Sequence, residues 1–333
     1  MTGIHLEKHF EQEMLQGMAN VGWQTGLRQP APGTPTADLW LYAYDKARGL
    51  YPIDVISWLR ETQPGEYAKV KKLHNGDTDR RILDRLAQEL DQHGPLQVMR
   101  KGFKEVNARF QLVQFRPASG LNPDLEARYA QVICRAVNQL RYSTEKEDSI
   151  DVVLFVNGIP VVTQELKTDL TQSIGDAMRQ YREDRPPRHP ANNKVEPLLA
   201  GNRALVHFAV STDEVRMTTR LEGKKTTFLP FNRGHNGGKG NPPVAGGYRT
   251  EYLWKEVLAR DSLLELLQHY LHRARTERFL PNGQKEIKER VIFPRYHQLQ
   301  AVRLLRRMVS AEGAGHDYLI QHSAGSGKSN TIA

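Results

Sequence analysis

Residues 151–166 read DVVLFVNGIPVVTQEL, two apolar, β-branched runs separated by Asn157-Gly158. Side chains of this kind suit the pleated surface of a sheet. An Asn-Gly pair accepts the two positive φ angles that a two-residue hairpin turn demands. The pattern therefore predicts strands over 151–156 and 159–166 closed by a tight turn, the strongest hairpin signal in the chain. It also sets a register problem. Across a plain two-residue turn, residue 165 pairs with residue 150, which sends Asp151 and Glu165 to opposite faces. If these carboxylates share a metal ion, the hairpin must carry an odd-numbered loop or a β-bulge that restores a common face.

The chemistry of the same segment makes that condition worth stating. An acid on one strand, an acid-x-lysine on its neighbour and a helix directly after is the arrangement of a Mg²⁺-dependent nuclease, here Asp151, Glu165 and Lys167. Mg²⁺ takes oxygen ligands in octahedral geometry, usually one or two carboxylates with water and phosphate completing the shell. Glu165 and Lys167 stand two apart on a predicted strand, so both project to one face. The lysine can then orient or deprotonate the attacking water while the metal stabilises the pentavalent phosphate. The same spacing also describes an ordinary solvated strand face. The apolar hairpin and the helix that follows favour the metal site.

Around this segment, the spacing of Ile4, Phe10, Met14, Leu15 and Met18 predicts a helix over 4–20. Residues 28–35 form a Pro-rich connector, and 38–110 are expected to be mostly helical. A helix is predicted over 172–183, then strands over 204–210 and about 214–219. The Gly-rich stretch 232–248 is expected to be a mobile connection in which Arg233 and Lys239 could meet phosphate. From 251 onwards helix is expected to dominate, with the basic stretch 272–290 a solvated helix face. A short strand over 318–321 leads into HSAGSGKS (322–329), where Gly325, Gly327, Lys328 and Ser329 form the second half of a phosphate-binding loop. Backbone N–H groups and Lys328 would hold the phosphates of a nucleoside triphosphate, with Ser329 on Mg²⁺. Upstream, Gln298 stands where helicase motors place a glutamine that recognises adenine.

Composition narrows the partners. A formal net charge of +9 favours an anionic partner. Cys134 is the only cysteine, which excludes an internal disulfide and a cysteine-based zinc site. No apolar run approaches membrane-spanning length and no signal-peptide core opens the chain, so a soluble cytosolic protein is expected.

Taken in order, several segments resemble the restriction (motor plus nuclease) subunit of type I restriction-modification enzymes. They are EKHFEQEMLQGMANVGW (7–23), SIDVVLFVNGIPVVTQELK (149–167), DAMRQYREDRPPR (176–188), TTFLPFNRGHNGGKGNPP (226–243), YLW (252–254), FPRYHQLQAV (293–302) and HSAGSGKS (322–329). The resemblance covers essentially the whole chain. It implies an α/β fold, a PD-(D/E)xK restriction-endonuclease-like core with a helical N-terminal part, followed by the truncated start of a RecA-like P-loop translocase. The implied division is an endonuclease domain over 1–270 (core about 130–220), a linker or helical connection over 271–290, and the start of a superfamily 2 motor over 291–333. By position Asp151, Glu165 and Lys167 match the family's catalytic acid, acid and lysine, with Asp151 and Glu165 as metal ligands. Glu7 matches an acid on the first helix that can join the metal shell. The family's Gln-x-x-x-Tyr motif is altered here, because Gln180 directly precedes Tyr181 and Ala177 stands four before it. The implied activity is Mg²⁺-dependent cleavage of double-stranded DNA. ATP-driven translocation would belong to the full-length motor, and the implied partners are separate specificity and methyltransferase subunits. The competing expectation is a DNA-binding and assembly module whose nuclease site is idle outside the complex.

Overall fold

A computed structural model describes residues 3–74, 76–168, 172–279 and 285–321. Helix α1 (Gly3–Asn20) buries Phe10, Met14 and Met18 along one stripe and leads into a short strand β1 (Gln24–Thr25). A helical block follows: α2 (Pro52–Thr62), α3 (Pro64–Leu73), α4 (Thr78–His93) and α5 (Pro95–Lys101). Three of these helices begin on a proline, whose fixed φ suits the first helical position and whose missing N–H costs nothing there. In α4, Ile82, Leu83, Leu86 and Leu90 form the buried stripe. The expected helical run is interrupted by one small hairpin, β2 (Phe103–Glu105) with β3 (Ala108–Phe110).

After α6 (Pro123–Ala130) come β4 (Cys134–Arg141), β5 (Ser149–Val156) and β6 (Ile159–Leu166), an antiparallel meander. Helix α7 (Ile174–Arg179) runs into a single π turn over Gln180–Asp184 and crosses to β7 (Val206–Val210), which pairs parallel with β6. Strands β8 (Val215–Thr218) and β9 (Leu229–Pro230) complete a seven-stranded mixed sheet in the order β1-β4-β5-β6-β7-β8-β9. Every residue of β6 is buried, as expected of a strand near the middle of a covered sheet.

The Asn157-Gly158 turn has φ of 45° and 79°, the primed geometry that matches strand twist. Its tip is tied down: Asn157 Nδ2 donates to the Leu112 carbonyl at 2.7 Å, and the Tyr51 N–H donates to the Gly158 carbonyl at 2.9 Å. Next to the turn, Val156 faces Ile159 and Phe155 faces Pro160, but Leu154 faces Val162. One residue, Val161, is therefore extra. The bulge sits beside Pro160, which has no N–H to give to a ladder.

Two stretches depart from expectation. Residues 271–290 are expected to be a linker or helical connection, but β10 (His272–Phe279) pairs antiparallel with β11 (Lys285–Ile292). Cross-strand charges favour it: Arg275 is opposite Glu289, and Lys285 Nζ lies 2.7 Å from Glu277 Oε2. Residues 318–321 form no strand, because no ladder partner exists for them among the described residues. At the Gly-rich stretch the Arg233 guanidinium stacks over the rings of Tyr252 and Tyr296, and Asn241 Nδ2 donates to the Asp213 carbonyl. Helix α8 (Arg260–Glu265) and α9 (Tyr296–Glu312) close the described chain. Among the described residues no helix is long and apolar enough to cross a membrane.

Candidate active site

The bulge decides the site. Beyond it the ladder runs Leu154–Val162, Val153–Thr163 and Val152–Gln164, which carries Asp151 opposite Glu165 on one face. This meets the condition that a shared metal ion imposes. Asp151 is fixed by two donors: the Leu166 N–H reaches its Oδ2 at 2.7 Å and Gln139 Nε2 reaches its Oδ1 at 3.2 Å. Glu165 is fully buried, beside Ala209 of β7. Its Oε1 accepts from Arg185 Nε at 3.0 Å, while its Oε2 is buried with no hydrogen-bond partner among the described residues. Burial pushes the Glu165 carboxyl well above the usual carboxylate range, and the neighbouring negative charge of Asp151 pushes it further.

Lys167, just past the end of β6, is buried, and its Nζ lies 2.6 Å from Oε1 of Glu7 on α1, 160 residues away in the chain. Four residues along α1, Glu11 accepts from Asn138 Nδ2 at 2.8 Å and Gln139 Nε2 at 2.6 Å. Two carboxylates in contact range, one of them buried with an oxygen left over, form an electrostatic arrangement that a cation would relieve. Arg185 supplies part of that charge. Among the described residues no group of three or more His, Cys, Asp or Glu is placed to hold a metal ion. Asp151 and Glu165, with Glu165 Oε2 unpartnered, would offer a hard cation two protein carboxylates, leaving its other positions to water or phosphate.

Under the carboxylates lies a buried polar chain. Tyr181 OH is 2.8 Å from Thr163 Oγ1, which is 2.7 Å from His207 Nδ1. Tyr181 is completely buried, and its hydroxyl serves this chain rather than the open face of the site. Gln180, the first residue of the π turn, is half-buried, with its Oε1 unpartnered among the described residues. Gln298 caps α9, its Oε1 accepting from the Arg295 N–H at 2.8 Å. The phosphate-loop residues Gly325, Gly327, Lys328 and Ser329 lie outside the described residues.

Glu11, Gln139 and Arg185 belong to the site without having been expected there. Arg185 carries a local signal in hindsight. It lies four residues after Tyr181, and on a helical turn such a pair shares a face. Glu11 is likewise four from Glu7. Nothing local marks Gln139.

No curated protein sequence matches the chain closely. A family model of the type I restriction enzyme R protein N terminus matches residues 58–226, just over half of the chain. The matched stretch holds Gln139, Asp151, Glu165, Lys167, Gln180, Tyr181 and Arg185, and it stops short of α1 with Glu7 and Glu11. The chain therefore belongs to the type I restriction enzyme R protein N-terminal family, which ties it to restriction systems and, in general terms, to nucleases that act on DNA.

Proposed function

We propose that this chain is the DNA-cleaving part of a type I restriction subunit, hydrolysing phosphodiester bonds of double-stranded DNA with Mg²⁺. The observation that carries the reading is the bulge at Val161, which brings Asp151 and Glu165 to one face beside Lys167. Asp151 and Glu165 would hold the ion, whose contribution when bound is to stabilise negative charge on the phosphate. The protein's own groups do the rest. The Leu166 N–H and the Gln139 amide hold the Asp151 carboxylate in one orientation. Lys167, held by Glu7, would orient the attacking water. Arg185 balances the buried Glu165 charge. Tyr181 buttresses the strand through Thr163.

ATP with Mg²⁺, bound by Gln298 and the phosphate loop, belongs in this reading to the full-length translocase, as does docking onto specificity and methyltransferase subunits in the bacterial cytoplasm. Residues 1–270 would then be the endonuclease part and 291–333 the start of the motor.

The test is nicking of supercoiled plasmid by the purified chain with Mg²⁺. Lys167→Ala should slow nicking at least ~100-fold, the scale on which misplacing a reacting group acts. Equal nicking by both proteins would refute the assignment. A second reading has one observation behind it: Glu165 and Lys167 are each already engaged, by Arg185 and Glu7. On that reading the chain is a DNA-binding and assembly module, idle outside the complex. Its signature is no nicking by either protein but retained DNA binding that weakens steeply with salt.

A further inference from the structure

Gln139 sits in the middle of β4 with a φ of 47°, in the left-handed region that a residue with a side chain rarely adopts. Strand bulges commonly explain such a residue, but no bulge is present here. On β4 and β5 the pairs Val137–Val153 and Asn138–Val152 on one side, and Leu140–Ile150 and Arg141–Ser149 on the other, keep one unbroken register. Only the pairing of Gln139 with Asp151 is missing. No residue is extra, so the strain is not the consequence of fitting one in. It also lies beyond Arg135 and Ala136, the residues that β1 pairs.

The strained backbone accompanies a convergence of side chains: Asn138 and Gln139, neighbours that a regular strand sends to opposite faces, both reach Glu11. Both amide hydrogens of Gln139 are used: Nε2 donates to Glu11 Oε2 at 2.6 Å and to Asp151 Oδ1 at 3.2 Å. The two carboxylates only accept, so the amide nitrogen faces them and the amide oxygen takes the Ser149 hydroxyl, Oγ to Oε1 at 3.2 Å. Asn138 reinforces the link by donating to the other oxygen of Glu11. One neutral amide thus ties α1 to the Asp151 carboxylate and separates two acids that would otherwise repel.

We propose that Gln139 is a positioning residue of the site, holding Asp151 in the orientation that receives a divalent cation through a backbone conformation whose cost the fold bears for that purpose. This rests on the nuclease reading above. Glycine is free of the left-handed penalty, so Gln139→Gly removes the amide while relieving the backbone. The experiment records melting temperature in EDTA and then along a Mg²⁺ titration, for the full chain, Gln139→Gly and Asp151→Asn. In EDTA, Gln139→Gly should melt at or above the wild-type temperature. In the titration it should need ~10-fold or more Mg²⁺ for the half-maximal shift, the scale on which groups that orient metal ligands act. Asp151→Asn should lose the shift. A Mg²⁺ midpoint unchanged in Gln139→Gly, with the shift lost in Asp151→Asn, overturns the role of Gln139 alone. A wild-type chain with no Mg²⁺ shift overturns it together with the metal-site reading. A Gln139→Gly protein that melts well below wild type in EDTA overturns it as well, since the residue would then be structural.

Discussion

His207 is the residue whose titration the fold controls most plainly. It is fully buried beneath the carboxylates, and burial pulls its pKa down to about 3 from the ordinary 6.5. The folded chain therefore keeps a neutral imidazole while the unfolded chain protonates near the ordinary value. Its contribution to stability is complete above pH ~6.5 and is lost as pH falls towards about 3, with a slope of at most ~1.4 kcal/mol per pH unit. Gln at this position can still bond to Thr163 but does not titrate. Melting curves between about pH 7 and about pH 5 should show wild type losing stability more steeply than His207→Gln. Parallel curves would place the acid sensitivity elsewhere. Glu165 has the opposite sense, its pKa raised by burial and by Asp151.

At the scale of the element, the β5–β6 hairpin converts a local turn into a site. Gly158 shows how tightly its tip is docked: φ is 79°, and an added Cβ would stand 2.4 Å from the Tyr51 carbonyl oxygen and 2.6 Å from Val55 Cγ2. Gly158→Ala should therefore cost about 1–3 kcal/mol from the strained backbone and the forced separation from α2. Urea denaturation reads this directly, and a loss of only a few tenths would show the tip to be free to move. The strands and the turn were legible because each signal lies within a few residues: β-branched runs and Asn-Gly. The bulge had a local mark too, in Pro160, a residue unable to donate to the ladder. The β10–β11 hairpin was misread because its alternating charges fit a solvated helix face as well as paired strands, and pairing depends on the partner strand.

At the scale of the molecule, α1 is clamped by residues from the far end of the chain. Phe10 meets Tyr248 at 4.7 Å and Trp254 at 5.8 Å between ring centroids, and this clamp sets Glu7 against Lys167. Gly17 is where α1 comes closest: an added Cβ would lie 2.7 Å from Nε1 of the buried Trp254. In an isolated helix Gly→Ala gains about 1 kcal/mol. Here Gly17→Ala should instead lower the melting temperature, because the indole has nowhere to go, and a rise would show the clamp to be compliant.

By itself the amino-acid sequence determined the hairpin, the acid, acid and lysine it carries, and the terms on which two carboxylates could share a face. Those features are local, and strand period and turn chemistry act over a few residues. Only the tertiary structure decided which groups complete the site. Glu11 arrives on α1, Arg185 arrives after a crossover helix, and Gln139 links Glu11 to Asp151 from a backbone conformation that no local preference favours. Such contacts depend on how distant elements pack, and the conformational cost of Gln139 is tolerated only because the assembled sheet and α1 hold it in place.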